Sequence, residues 1–242
     1  MGYAWDFGVV FLARDVFFKG ILITALLSGA SIVLGTIPGI ILALTRRSKK
    51  FLLRVVSKAY IELFLAIPVL VLLIWLYFCL PIILPFTKLS GFWTAVLGFS
   101  LSLSAFVAET VRAGIESIPP GQTEAGLTLG MTQSQTMWRI VLPQAIRMVI
   151  PPLFTQYITC IKLSSLASVI AVNELLHLSG LLIMKTFRPL EIYTAVAVAY
   201  MAIILPLNLL VRSIENKGRV FRSLAKFYRI VPYKRKSRSI EG

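Results

Sequence analysis

Residues 119–143 read PPGQTEAGLTLGMTQSQTMWRIVLP, a polar stretch inside a chain that is 57% hydrophobic as a whole. Pro119 and Pro120 suit the opening turn of a helix, where a backbone N–H has no partner to lose. Residues from Gln122 to Leu129 can continue it. Gly130 then stands where a left-handed C-cap is wanted. Thr132 can cap a second short helix, and Gln135 three residues later completes a capping-box pattern. Pro143 either ends that element or starts the next one. The stretch therefore predicts helix, glycine, helix, proline: two short helices held at a fixed angle, a rigid projection rather than a floppy linker.

Working outward, the neighbouring segments are of a different kind. Gly20 to Thr45, Leu63 to Thr87, Leu89 to Ala108 and Ile192 to Val211 carry no charge, and Met148 to Asn173 is interrupted only by Lys162. Each run is near or above the ~20 residues that cross a bilayer core of ~30 Å. The apolar residues do not alternate, which excludes the strands of a β-barrel. Only 14% of residues are charged, against roughly 25% in a soluble domain. The expected fold is an all-α membrane protein of about five transmembrane helices. Residues 1–19 read as an interfacial segment with Trp5 at headgroup depth. Residues 20–212 form the transmembrane domain, with the projecting loop at 116–143, and 213–242 are a basic tail.

The net charge of +15 is unevenly placed. Arg46, Arg47, Lys49, Lys50, Arg54 and Lys58 follow the first run; Arg112, Arg139 and Arg147 flank or lie in the loop. Ten more basic residues, among them Arg212, Lys217, Arg229 and Lys234, follow the last run. The side that carries them should be cytoplasmic. With five spans the N-terminus is then outside and the C-terminus inside. A basic tail directly after a span points to anionic membrane lipid rather than to nucleic acid. No basic n-region precedes the first apolar run, so no signal peptide is expected. Cys79 and Cys160 lie in apolar runs and read as small fillers. His177 is the one histidine, which excludes a His-rich site for a metal and leaves little for acid–base catalysis. No internal repeat is visible, which disfavours a carrier built of two inverted halves.

Glu124-Ala125-Gly126, then Gly130, then Ile140-Val141-Leu142-Pro143 resembles the signature loop of permease subunits in ABC importers. The resemblance extends to the polar amino-acid branch of that MetI-like family and covers roughly residues 17–215. Gly20 with Thr24, Tyr60 to Phe64, Phe106 to Arg112, Ala113-Gly114-Ile115, Pro120-Gly121-Gln122, Ser165 to Ile170 and Phe187-Arg188-Pro189 carry it. The chain departs from the family at Gly126, where alanine is usual. It departs again at Leu65-Ala66-Ile67, for Arg-Gly-Thr, and at Leu163, for aspartate. The last two changes remove polar groups, which fits either a divergent substrate or a heterodimer whose partner supplies them.

The resemblance implies a transport subunit, not an enzyme, that imports a polar amino acid or a related small solute. It implies docking of Glu124, Ala125, Gly126, Gly130, Leu142 and Pro143 on separate ABC ATPase subunits. A second permease subunit, identical or different, and an extracytoplasmic solute-binding protein complete the expected partners. The residues agree on one point: no Gly-x-x-x-x-Gly-Lys-Ser/Thr phosphate loop exists. ATP, the cofactor of the machine, is then used by the partner and no cofactor is bound by this chain. A bulky residue at Gly130 is expected to uncouple hydrolysis from transport.

Lys162 is the one charge deep in a run, where an unpaired lysine costs ~2.5 kcal/mol or more. Two readings stand: with Ser164 and Ser165 it lines the substrate path and attracts a carboxylate, or it is a snorkelling structural lysine. Glu109 and Arg112 have ion-pair spacing, as do Lys58 and Glu62 in the weaker order. Arg188 and Glu191 read as interface anchors. Asn173, Glu174 and His177 lie in an outer connection and could meet a binding protein. A self-contained ion-coupled carrier or channel is the competing function.

Overall fold

The computed structural model describes residues 3–48, 50–85 and 89–228. Lys49, Thr87, and the tail residues Arg229, Lys234, Arg235, Lys236 and Arg238 lie outside the described residues. A short helix α1 (Gly8–Leu12) leads into α2 (Arg14–Thr45). Then come α3 (Phe51–Ala66), α4 (Val69–Ile83), α5 (Gly91–Glu116), α6 (Pro120–Thr128), α7 (Gln133–Ile170), α8 (Leu175–Thr186) and α9 (Pro189–Tyr228). No strand occurs among the described residues. Four helices, α2, α5, α7 and α9, are long and apolar enough to cross a membrane, and α3 with α4 makes a fifth crossing if that bent pair is one span.

The centre of the bundle is the crossing of α2 over α5. Ser28, Ser31, Gly35, Gly39 and Ala43 recur every three or four residues on α2 and are all buried. Side chains this small let two backbones approach, which matters in lipid, where packing rather than the hydrophobic effect holds helices together. A Cβ on Gly39 would sit 2.7 Å from the Ser104 carbonyl oxygen. Leu27, Leu73, Val96, Phe99, Leu103 and Val107 fill the space around this contact. No buried side-chain N or O among the described residues lacks a hydrogen-bond partner.

The apolar run predicted over 63–87 is not one helix. It breaks at Ile67 and Pro68, and the two halves are bent by 102°. Proline disfavours helical geometry in the residue before it, and Ile67 is extended at φ −84°, ψ 123°. Residues from Arg14 onward belong to α2. The connection after α7 holds a twelve-residue helix of its own, α8.

Two turns are widened to π geometry, Trp75–Cys79 and Met137–Val141. In each, the leucine that follows donates its N–H five residues back, Leu80 to Trp75 and Leu142 to Met137, and the next residue is proline. Proline lacks an N–H and crowds the carbonyl four residues before it. One loosened turn takes up that clash without breaking the helix. Pro143 therefore starts nothing new and ends nothing. The second helix of the projecting loop is the first part of α7, a 38-residue rod that runs on through Pro151 and Pro152.

Candidate functional site

The loop at 119–143 folds into a knuckle at one end of the bundle, by local chemistry at every step. Pro120 opens α6. At its C-terminus the Gly130 N–H donates to the Leu127 carbonyl at 3.0 Å, and the Met131 N–H to the Gly126 carbonyl at 3.1 Å. This is a Schellman motif, with Gly130 at φ 79°. Two residues on, the Gln135 N–H donates to Thr132 Oγ1 at 3.2 Å, and the Thr132 N–H to Gln135 Oε1 at 2.9 Å. The predicted glycine cap and capping box are both present, back to back.

The motif residues divide into two groups. Glu124 and Ala125 are exposed, as are Gly130 and Pro143; Leu142 is half-buried. Leu129 and Trp138 present 80% and 68% of their surface, a large apolar display for a polar loop. Gly126 is buried, as is Val141, and it faces inward. A Cβ there would sit 2.7 Å from Thr136 Cγ2 and 3.1 Å from Ile140 Cδ1. Glycine lets α6 lie directly on the start of α7, so the departure from alanine serves packing inside the knuckle. Gln144 Nε2 bridges to Gln122 Oε1 at 3.2 Å and closes the base.

Beneath the knuckle runs an ion network that sequence spacing shows only in part. Arg112 Nε meets both oxygens of Glu109, at 3.1 and 3.0 Å, and its terminal guanidinium nitrogens reach Glu109 and Glu116. The predicted pair exists. Arg46 adds a third element: its Nη1 lies 2.9 Å from Glu109 Oε2 and ties the end of α2 to the end of α5. Charge-assisted pairs of this geometry fix orientation as well as energy. Beside them a cleft of about 400 Å³ opens between α5 and α7, lined by Phe106, Glu109, Thr110, Ser117, Met148 and Gln156 among others. Lys58 and Glu62 also pair, at 3.6 Å, out in the open.

The three residues of the predicted solute path lie toward the opposite end. Tyr157 Oη bonds Thr36 Oγ1 at 3.0 Å, in the C-terminal third of α2. Lys162 stands five residues further from the knuckle, about 7.5 Å at helical rise. Lys162 is exposed on this single chain and makes no ion pair among the described residues. Ser165 Oγ donates back to the Lys162 carbonyl at 2.9 Å, and Ser164 Oγ to the Ile161 carbonyl at 2.7 Å. Ser164 is fully buried on this single chain.

The far end holds two wholly buried carboxylates whose roles the sequence did not disclose. Glu174 caps α8: its oxygens accept from the Leu176 N–H at 2.9 Å, the His177 N–H at 2.7 Å and the Tyr200 hydroxyl at 3.1 Å. Burial pushes its carboxyl up, against the pull of those three donors. Of the three residues that could meet a binding protein, Glu174 has no exposed side-chain surface, Asn173 is exposed and His177 is half-buried. Thr24 Oγ1 accepts from the Leu175 N–H at 3.2 Å, so α2, α8 and α9 meet at this cap. Glu191 accepts from the Tyr3 hydroxyl at 2.6 Å and the Asp6 N–H at 3.0 Å. Arg188 Nη1 bonds Glu191 at 3.3 Å and the Ala4 carbonyl at 2.8 Å. The pair read as interface anchors thus straps the N-terminal segment to the start of α9. Burial of Glu191 is the part no local signal announced.

Comparison with known proteins places this architecture. Residues 18–220 match the family described as binding-protein-dependent transport system inner membrane component. The chain is 41% identical over 185 residues to the probable amino-acid ABC transporter permease protein YckA of Bacillus subtilis, covering 76% of this chain and 81% of the relative. It is 32% identical over 216 residues to the glutamine transport system permease protein GlnP of Escherichia coli, covering 89% and 99%. Among solved structures, an amino acid ABC transporter crystallised with histidines superposes at a TM-score of 0.84 and 29% identity, over 89% of this chain and 100% of that one. The MetNI methionine ABC transporter in an inward facing conformation matches at 0.67 and 18% identity, over 83% and 97%, a likeness of fold.

Proposed function

The chain belongs to the family of binding-protein-dependent transport system inner membrane components, and we propose that it is the subunit through which an ATP-driven importer carries a polar amino acid or a related small solute into the cytoplasm. The reading rests above all on the knuckle. A membrane bundle has no packing need for a projection stiffened by two consecutive cap motifs and displaying Leu129 and Trp138. A partner that must push on the bundle has that need. In this reading Glu124, Ala125, Gly130, Leu142 and Pro143 form the docking face and Gly126 holds it rigid. ATP is bound and hydrolysed on ATPase subunits that grip the knuckle. A second permease subunit, identical or different, completes the path, and an external binding protein delivers the solute. The knuckle, the ends of α2 and α5, and the basic residues there face the cytoplasm, by the positive-inside rule. The N-terminal strap faces outward.

Force on the knuckle has a direct route. Because α6 is seated on the start of α7 through Gly126 and Thr136, and α7 is continuous to Ile170, a displacement of the knuckle tilts the helix that carries Lys162. Lys162 is then placed to meet a solute carboxylate, with Ser165 beside it and Ser164 bracing the turn. The test is co-purification followed by transport. The chain should elute with an ATPase subunit, and vesicles containing both should take up the solute only with ATP inside and binding protein outside. Uptake that needs neither ATP nor the binding protein, and follows an ion gradient, would replace this reading with the carrier.

A further inference from the structure

We propose that α3 is a lipid-reading helix, whose basic stripe binds anionic phospholipid headgroups at the cytoplasmic surface and so sets the position of the α2 and α5 ends. The proposal rests on the orientation given above. It begins with the 102° bend: α4 runs along α5, with Leu73 against Gly98 and Tyr77 beside Gly91, so α3 must lie across the bundle and not along it. A helix in that position meets three environments, and at 3.6 residues per turn its sequence is divided into three sectors. Ser57 and Ile61 are buried against the bundle, with Tyr60 beside them. Leu52, Val56, Ala59 and Leu63 are exposed on an apolar sector that suits acyl chains. Arg54 and Lys58 lie in the third sector beside exposed Phe51 and Val55, with Lys50, also exposed, at the helix start. Glu62, 3.6 Å from Lys58, is the one acid on the helix.

A helix with this division is at rest only at a water–lipid boundary. An excess of exposed cations at that boundary attracts anionic headgroups. The bundle-facing sector carries the consequence inward. Ser57 Oγ lies 2.7 Å from Thr45 Oγ1, next to Arg46 and its Glu109 pair, and Tyr60 Oη lies 2.8 Å from Ser104 Oγ on α5. Lipid charge held by Arg54 and Lys58 therefore bears on the same helix ends that the ion network joins.

The experiment uses the assembled transporter in vesicles of phosphatidylcholine alone or of equal parts phosphatidylcholine and phosphatidylglycerol. Native mass spectrometry counts retained lipid, and ATP-driven uptake is measured separately. The original protein should retain phosphatidylglycerol over phosphatidylcholine and transport faster when it is present. R54Q/K58Q should retain at least about fivefold less phosphatidylglycerol and transport equally in both vesicles; R54K/K58R should behave as the original. The basic tail is the same in all three, so the difference isolates α3. Equal phosphatidylglycerol retention by R54Q/K58Q overturns the proposal. Loss of a protein subunit from that variant, with lipid unchanged, also overturns it and makes the stripe a protein contact. Lipid retention is read without transport, so failed uptake alone would count against the importer reading and not against this one.

Discussion

The two ends of the bundle solve the same problem, holding helices at fixed angles, by different means. At the knuckle end the fixing is done by backbone caps and by carboxylates matched to arginines, and much of it stays in reach of solvent. At the far end Glu174 is held by two backbone N–H groups and a tyrosine, and Glu191 by a tyrosine, a backbone N–H and Arg188, with both carboxylates out of solvent. The first arrangement is stiff yet open to a partner. The second puts its charge out of reach and keeps α2, α8, α9 and the N-terminal segment together.

The contrast is broken most severely by removing the buried cap. Glu174→Ala strands two N–H donors and a tyrosine hydroxyl and should cost about 3 kcal/mol or more of stability, read by thermal denaturation in detergent. Glu174→Gln, which keeps an acceptor, should lose clearly less. If the two variants melt alike, the cap is not what holds this end. On the knuckle side, Gly126→Val should cost about 1–3 kcal/mol by overpacking against Thr136 and abolish ATP-driven uptake while membrane insertion is kept. Adding Thr136→Ala should restore part of the uptake, which a purely surface role for Gly126 would not allow. Gly130→Ala meets no atom within 4 Å. Its cost is the left-handed backbone alone, about 1–2 kcal/mol, and fewer solutes should be carried per ATP. Glu62→Gln, which breaks an exposed pair, should shift stability by under about 1 kcal/mol; a larger shift would mean that α3 is not at the surface.

The same contrast governs what could be read in the sequence. The knuckle was legible because each of its signals is local: Pro-Pro, Gly130 and Thr-x-x-Gln act within four residues. The α5 pair of Glu109 and Arg112 was legible for the same reason. Arg46 joins that pair from 63 residues away, and no spacing rule reaches so far. Glu174 and Tyr200 are 26 residues apart, and the carboxylate looked like an exposed loop residue because its burial depends on α2 and α9 closing over it. The break at Ile67 was marked by Pro68, but an apolar count over 63–87 is blind to direction. The role of Pro143 is open in the sequence because a proline after a widened turn and a proline at a helix start look alike in one dimension.

The back-to-back caps of the knuckle have an evolutionary consequence. The Schellman turn ends at Met131 and the capping box begins at Thr132, so no residue between them is spare. One insertion or deletion there would swivel α6 about its axis by roughly 100° and turn Leu129 away from whatever it meets. Substitutions that keep the glycine and the capping box can drift at this joint, but its length cannot. Relatives with the same knuckle should therefore hardly vary in residue count at this point.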